Sequence, residues 1–126
     1  MKKDIKNRED IKLMVDTFYE SVRDNELLSP IFKERIENKW PAHLEKMYSF
    51  WETILLEEHT YNGAPFTPHA TMPLEEIHFT TWVKIFIETA DELFLGPIAD
   101  EAKRRGTLMA AIFNSKINFM NQQKFS

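Results

Sequence analysis

The side chains of this sequence that are best suited to metal chemistry are its four histidines, His43, His59, His69 and His78. Two of them have unusual neighbours. His43 interrupts a row of apolar residues, whereas His69 directly follows Pro68 and is followed closely by Pro73. Because a proline restricts its own backbone and that of the preceding residue, this segment can hold an imidazole in a fixed direction. Such an imidazole is suited to be the axial ligand of a haem iron, and a histidine on a surface loop is the competing interpretation.

Polar side chains also occur within the apolar faces of three predicted helices, at Tyr19, His43 and Trp82. A buried tyrosine hydroxyl or indole N–H requires a hydrogen-bond partner. If the three polar ends converge, they line a small pocket of hydrogen-bond donors beside a hydrophobic surface. If they lie apart, each bonds to a backbone carbonyl and has only a structural role. The sequence leaves both interpretations open.

Helices must position these side chains, because the sequence has no alternating strand pattern and no hairpin turn. In the first long segment the apolar residues recur at intervals of three and four, which is typical of a helix with one buried face. These residues are Ile11, Met14, Val15, Phe18, Tyr19 and Val22. The same reasoning predicts an all-α fold with helices over residues 9–23, 31–38, 41–56, 74–93 and 98–119.

Residues 61–73 form a proline-rich connection between two of the predicted helices, with three prolines and one glycine. A connection of this length inside a compact domain is usually functional or disordered. Phe66, His69 and Met72 lie within it, and they favour packing against another part of the protein over disorder.

Composition excludes several classes of function. The formal net charge of −4 argues against the basic patch that binding to nucleic acid or to an anionic membrane requires. The chain has no cysteine, so disulfides, iron–sulfur clusters and thiolate zinc sites are excluded. Neither a signal peptide nor an apolar stretch long enough to span a bilayer is visible, and we expect a cytoplasmic protein. The length suits one domain over residues 1–126, with an N-terminal extension at about 1–8 and a frayed tail at 120–126.

Several short motifs, in the same order along the chain, resemble the third group of the truncated haemoglobins. The resemblance extends from about residue 5 to residue 117, and motifs in a shared order are far more specific than any one of them alone. They are Phe18-Tyr19, Pro30-Ile31-Phe32, Trp40 with His43, Phe50-Trp51 followed by Leu55-Leu56, Tyr61-Asn62-Gly63-x-Pro65, Pro68-His69 and Trp82-Val83-Lys84-Ile85-Phe86.

The resemblance implies a truncated globin fold, a two-over-two helical sandwich around haem b. His69 matches the family's proximal iron ligand, and Tyr19, His43 and Trp82 match residues of the ligand-binding side. Phe32 matches a phenylalanine that packs on the haem, and Lys46 a basic position that can reach a haem propionate. Met47 stands where relatives often have a branched aliphatic residue, and its methionine side chain is more flexible than such a residue. We add Phe18 and Met47 to the residues that line the ligand site. The residues that line the haem also include Met47, Phe50, Trp51, Phe66 and Trp82.

The resemblance also implies a function, the binding of O2 and of NO or CO at a five-coordinate iron, with O2 held tightly by tyrosine and tryptophan. The alternative is an enzyme, an NO dioxygenase or a peroxidase-type protein. That reading needs an external reductase, because no flavin or nicotinamide motif is present. His43 could gate ligand entry, donate a hydrogen bond or ligate the iron. A helical interaction domain without haem, whose aromatic residues form only a core, is the third reading.

Overall fold

The computed structural model describes residues 2–36, 40–56 and 74–124, and the side chains of 34–36 and 121–124 are not among the described parts. Within these ranges the chain forms helices and, apart from one isolated parallel bridge between Lys3 and Phe94, no extended pairing. The all-α prediction is confirmed. The helices are α1 (Arg8–Asp24), α2 (Ser29–Ile36), α3 (Trp40–Leu56), α4 (Glu76–Leu93) and α5 (Pro97–Lys124).

Helix α1 begins where its sequence predicts. The Asn7 side chain accepts a hydrogen bond from the backbone N–H of Asp10 at 3.0 Å, which satisfies one of the free donors of the first turn. Acidic residues follow in that turn and Arg23 lies in the last turn, which suits the helix dipole at both ends. The buried face consists of the six residues that the apolar spacing predicts, Ile11, Met14, Val15, Phe18, Tyr19 and Val22.

The helices pack as two pairs, α1 on α3 and α4 on α5, and the pairs are joined by contacts of α1 with α4 and of α3 with α5. Arg8 ties the start of α1 to α3, because its guanidinium lies 2.8 Å from Glu52 Oε1 and 2.9 Å from Glu45 Oε2. Glu52 is buried, and a buried carboxylate needs such a partner to offset its lost hydration.

Stacked aromatic rings fill the space between the pairs. Phe86 of α4 lies parallel to Trp82 at 5.3 Å and nearly parallel to Trp51 of α3 at 4.9 Å between ring centroids. Helix α5 approaches this stack closely at Gly106, where an added Cβ would lie 2.9 Å from the Phe86 ring. The absence of a side chain at this position therefore sets the distance between α4 and α5.

The residues before α1 also pack against the corner between α4 and α5. Ile5 is fully buried, and the Lys3 carbonyl accepts a hydrogen bond from the N–H of Leu95 at 3.0 Å. The Asp4 carboxylate accepts hydrogen bonds from the N–H groups of Ile98 and Ala99 at 3.0 and 2.9 Å, so a residue distant in sequence caps α5. Gly96 has a φ of +148° and leaves room for Asp4, since an added Cβ would lie 2.5 Å from Asp4 Cγ.

The helix bounds differ slightly from the predicted ones. Helix α5 runs to Lys124, five residues beyond the predicted end, and α2 begins at Ser29, two residues early. Helix ends are weakly specified by sequence because the last turn depends on tertiary contacts. Among the described residues, no helix is both long and apolar enough to cross a bilayer.

Candidate functional site

Helices α1 and α3 bring Tyr19 and His43 into contact. His43 Nε2 lies 3.2 Å from the Tyr19 hydroxyl oxygen, and the two rings meet edge to face with centroids 5.3 Å apart. Tyr19 is only 8% exposed, whereas His43 is half-buried. Where α1 meets α3 at this point, a pair of polar groups therefore lies beside the aromatic rings of Phe18 and Phe32.

The Tyr19 phenol stays protonated at neutral pH. Burial raises its pKa above the ordinary value of 10.0, because the charged phenolate would lose its hydration. The hydroxyl consequently keeps its proton and can donate a hydrogen bond. His43 Nε2 either accepts a hydrogen bond from this hydroxyl or donates one to it, depending on the tautomer of the imidazole.

Trp82 is linked to Tyr19 through Phe18. The Phe18 ring meets Tyr19 at 5.0 Å and Trp82 at 5.1 Å, edge to face in both cases. Trp82 is half-buried and its ring stacks on Phe86. The three predicted polar side chains thus belong to one connected set of rings, in which Tyr19 and His43 touch directly and Trp82 stands one ring away.

The other predicted lining residues differ in their surroundings. Phe32 lies against Tyr19 at 5.9 Å, and Met47 is partly buried against the same core. Phe50 and Trp51 are buried, and Trp51 belongs to the stack with Phe86, so both have a clear packing role. Lys46 is exposed on α3, one helical turn beyond His43.

His69 and Phe66 lie outside the described residues, as does His59, so the predicted iron ligand stays a prediction. His78 has a structural contact, since its Nδ1 accepts a hydrogen bond from the backbone N–H of Glu75 at 2.9 Å. Among the described residues, no group of three or more acidic, histidine or cysteine side chains is placed to hold a metal ion.

Trp40 adjoins the Tyr19–His43 pair, although the sequence analysis cited it only as part of a motif. Its ring lies 5.5 Å from Tyr19 and 6.0 Å from His43, edge to face with both. Arg23, which the sequence analysis did not single out, lies over the Trp40 ring, with its Cζ 4.8 Å from the centroid. The sequence did contain one indication that Trp40 lies near His43. Trp40 precedes His43 by three residues, and residues three or four apart on a helix share a face.

Comparison with known proteins shows that the bacterial-like globin family model matches residues 3–114. The chain is 31% identical over 121 residues to "Group 3 truncated hemoglobin ctb" of Campylobacter jejuni, covering 93% of this chain and 95% of that protein. It is also similar to the crystal structure of a group III truncated hemoglobin from Campylobacter jejuni. That structure has a TM-score of 0.85 and 30% identity, with 93% of this chain and 95% of that chain covered. The shortened globin architecture expected from the resemblance is confirmed.

Proposed function

Because the chain belongs to the bacterial-like globins, and within them to the group 3 truncated haemoglobins, we propose that it binds haem b and takes up a small diatomic gas there. The observation that carries the proposal is the partly buried contact of 3.2 Å between the Tyr19 hydroxyl and His43 Nε2. Such a polar pair beside the aromatic rings of Phe18 and Phe32 would supply hydrogen-bond donors to a small ligand held there.

The described residues fit a haem. A flat porphyrin needs apolar side chains against its faces. Phe18 and Phe32, which both contact Tyr19, offer aromatic rings, and the partly buried Met47 offers a flexible apolar side chain. Lys46 is exposed beyond them and is suited to a carboxylate at the edge of the group. His69 would ligate the iron, because its prolines restrict the segment that carries it. When bound, haem would supply an iron able to take up O2, NO or CO.

Tyr19 would donate a hydrogen bond to a ligand atom that carries partial negative charge. Its raised pKa keeps the donor protonated, and the surrounding aromatic rings keep the local dielectric low, which strengthens the bond. A hydrogen bond to a charged group contributes about 1.5–3 kcal/mol. Trp82 is the second proposed donor, and His43 is proposed to gate ligand entry, since it lies half-buried against the same hydroxyl.

Absorption spectroscopy tests the proposal directly. We expect the purified protein to be red with an intense violet band, and the ferrous form to give separate O2 and CO spectra. His69→Ala should lose the band or shift it strongly, because the iron loses its axial nitrogen. His78→Gln is the matched control, since glutamine can still accept the hydrogen bond from Glu75 at the start of α4.

A colourless protein that gains no such band when hemin is added would contradict the proposal. An unchanged spectrum of His69→Ala would leave haem binding intact and would assign the axial ligand elsewhere.

A further inference from the structure

Two pairs of side chains meet across the interface between α1 and α3, one helical turn apart. The inner pair is Tyr19 with His43, at 3.2 Å between the hydroxyl oxygen and Nε2. The outer pair is Arg23 with Trp40, at 4.8 Å between Cζ and the ring centroid. Tyr19 and Arg23 are four residues apart on α1, and Trp40 and His43 are three apart on α3, so both pairs lie on the facing surfaces of the two helices.

The outer pair contacts the inner pair through Trp40. The Trp40 ring is in edge-to-face contact with both members of the inner pair, Tyr19 at 5.5 Å and His43 at 6.0 Å. Because the half-buried His43 ring contacts Trp40 as well as Tyr19, a rotation of this ring away from Tyr19 also changes its contact with Trp40. Trp40 is itself in contact with the exposed Arg23 guanidinium, which is attracted to the face of the indole ring.

We propose that Arg23 and Trp40 are positioning residues that hold His43 against Tyr19 and thereby set the rate at which a diatomic ligand enters the site. This inference rests on the proposed function. Neither residue touches the ligand: Arg23 acts through Trp40, and Trp40 acts through His43. Loss of the outer pair increases the fraction of time in which the inner pair is open, and entry becomes faster.

Flash photolysis of the ferrous CO complex measures ligand entry, because the association rate constant is read directly from rebinding. Arg23→Gln removes the charge while keeping a polar side chain, and we expect CO association to be about two- to fivefold faster, as for the loss of one exposed cation–π contact. Arg23→Lys keeps the charge but not the planar group, and a smaller increase is expected.

The matched control is Lys12→Gln. Lys12 is also an exposed cation on α1, and it lies over an aromatic ring of α3, with its Nζ 5.4 Å from the centroid of Tyr48. It has the same change in charge but no contact with Trp40, so CO association should equal that of the wild type. An equal increase in Lys12→Gln would overturn the inference, because loss of charge on α1 would then explain the effect.

The His43 ring resonance in the NMR spectrum gives a readout that does not depend on ligand rates. It is assigned from its loss in His43→Gln. In Arg23→Gln and in Trp40→Phe we expect this resonance to shift or broaden, since the ring spends less time against Tyr19. If the resonance and the CO association rate of Arg23→Gln both match the wild type, Arg23 has no positioning role.

The outcomes separate the two proposals. Wild-type behaviour of Arg23→Gln in a protein that binds haem and CO overturns only the positioning role. A protein that binds no haem overturns the proposed function and this inference together.

Discussion

The Tyr19 hydroxyl combines burial, a retained proton and a polar neighbour in one atom. Tyr19 and His43 could be predicted as site residues because each interrupts an apolar helical face, and such a pattern is visible in one sequence. Trp40 and Arg23 could not be predicted as site residues in the same way. A tryptophan at the start of a helix and an arginine near its end have ordinary structural explanations, and only the packing of α1 on α3 makes them neighbours.

Replacing Tyr19 by phenylalanine should speed O2 release. The change removes the hydroxyl and little volume, so the lost quantity is one hydrogen bond to a charged ligand atom, about 1.5–3 kcal/mol. Since about 1.4 kcal/mol is tenfold in an equilibrium constant, we expect O2 dissociation to be about 10- to 100-fold faster in stopped-flow displacement by CO.

Tyr48→Phe is the control for that experiment. The Tyr48 hydroxyl donates to the exposed Asp16 carboxylate and not to Tyr19 or His43, and its loss should leave O2 dissociation unchanged. A wild-type dissociation rate in Tyr19→Phe would remove Tyr19 from the ligand-holding role.

At the scale of the helices, apolar periodicity was sufficient to predict the core-facing residues of α1 and each long helix that the structure describes. It could not locate the cap of α5, because the capping group is Asp4 and more than 90 residues separate Asp4 from Ile98. Caps supplied from a distant segment have no local pattern, whereas the Asn7 cap of α1 lies directly beside its helix in the sequence.

The Asp4 cap should make stability depend on pH. Burial raises the pKa of Asp4, but the N–H groups of Ile98, Ala99 and Ile5 outweigh this effect and hold the pKa below its ordinary value of 3.8. The native state therefore binds this proton less readily than the unfolded state. The contribution of Asp4 is complete above pH 3.8 and is lost as the pH falls through the lowered native pKa.

Asp4→Ala should lower the free energy of unfolding by about 1 kcal/mol at neutral pH, as for removal of a helix cap, and by less in strong acid. Urea unfolding followed by circular dichroism at several pH values measures this difference. The control variant is Asp24→Asn. Asp24 is an exposed aspartate at the C-terminal end of α1, where it caps no helix N-terminus, so the free energy of unfolding of this variant should stay close to that of the wild type. An Asp4→Ala deficit that does not shrink in acid would contradict the capping role.

At the scale of the whole molecule, the arrangement of the two helix pairs was expected from the family resemblance and not from the helix patterns. Apolar faces predict that helices pack against one another, but the way in which two helices cross depends on which residues allow their close approach. Gly106 is one such residue, and in the sequence it appears only as a poor helix former within α5. Its role becomes visible because the Phe86 ring occupies the space that a side chain would need.

Gly106→Ala should destabilise the protein, although alanine favours a helix. The better helix propensity contributes about 1 kcal/mol, but the added methyl group would lie 2.9 Å from the ring of Phe86, which is 1% exposed and enclosed by Trp51 and Trp82. Overpacking of this kind costs about 1–3 kcal/mol, so we expect a net loss of about 1 kcal/mol in chemical denaturation.

Thr107→Ala provides the comparison, because this neighbouring position is exposed and has room for the change. Its free energy of unfolding should equal or exceed that of the wild type. A gain in stability in Gly106→Ala would show that the aromatic stack can move.

The backbone that precedes α1 is in effect the first fastening of the last helix. Lys2 Nζ donates to the Asp91 carbonyl at 2.6 Å, Lys3 accepts from Leu95, and Asp4 holds the opening turn of α5. A truncated protein that begins at α1 would lose these contacts, as would one from which a tag is removed by cleavage within these residues. The start of α5 would then be held less firmly, although the sequence of every helix would be unchanged. Purification handles and labels therefore belong after α5 or ahead of an intact Lys2.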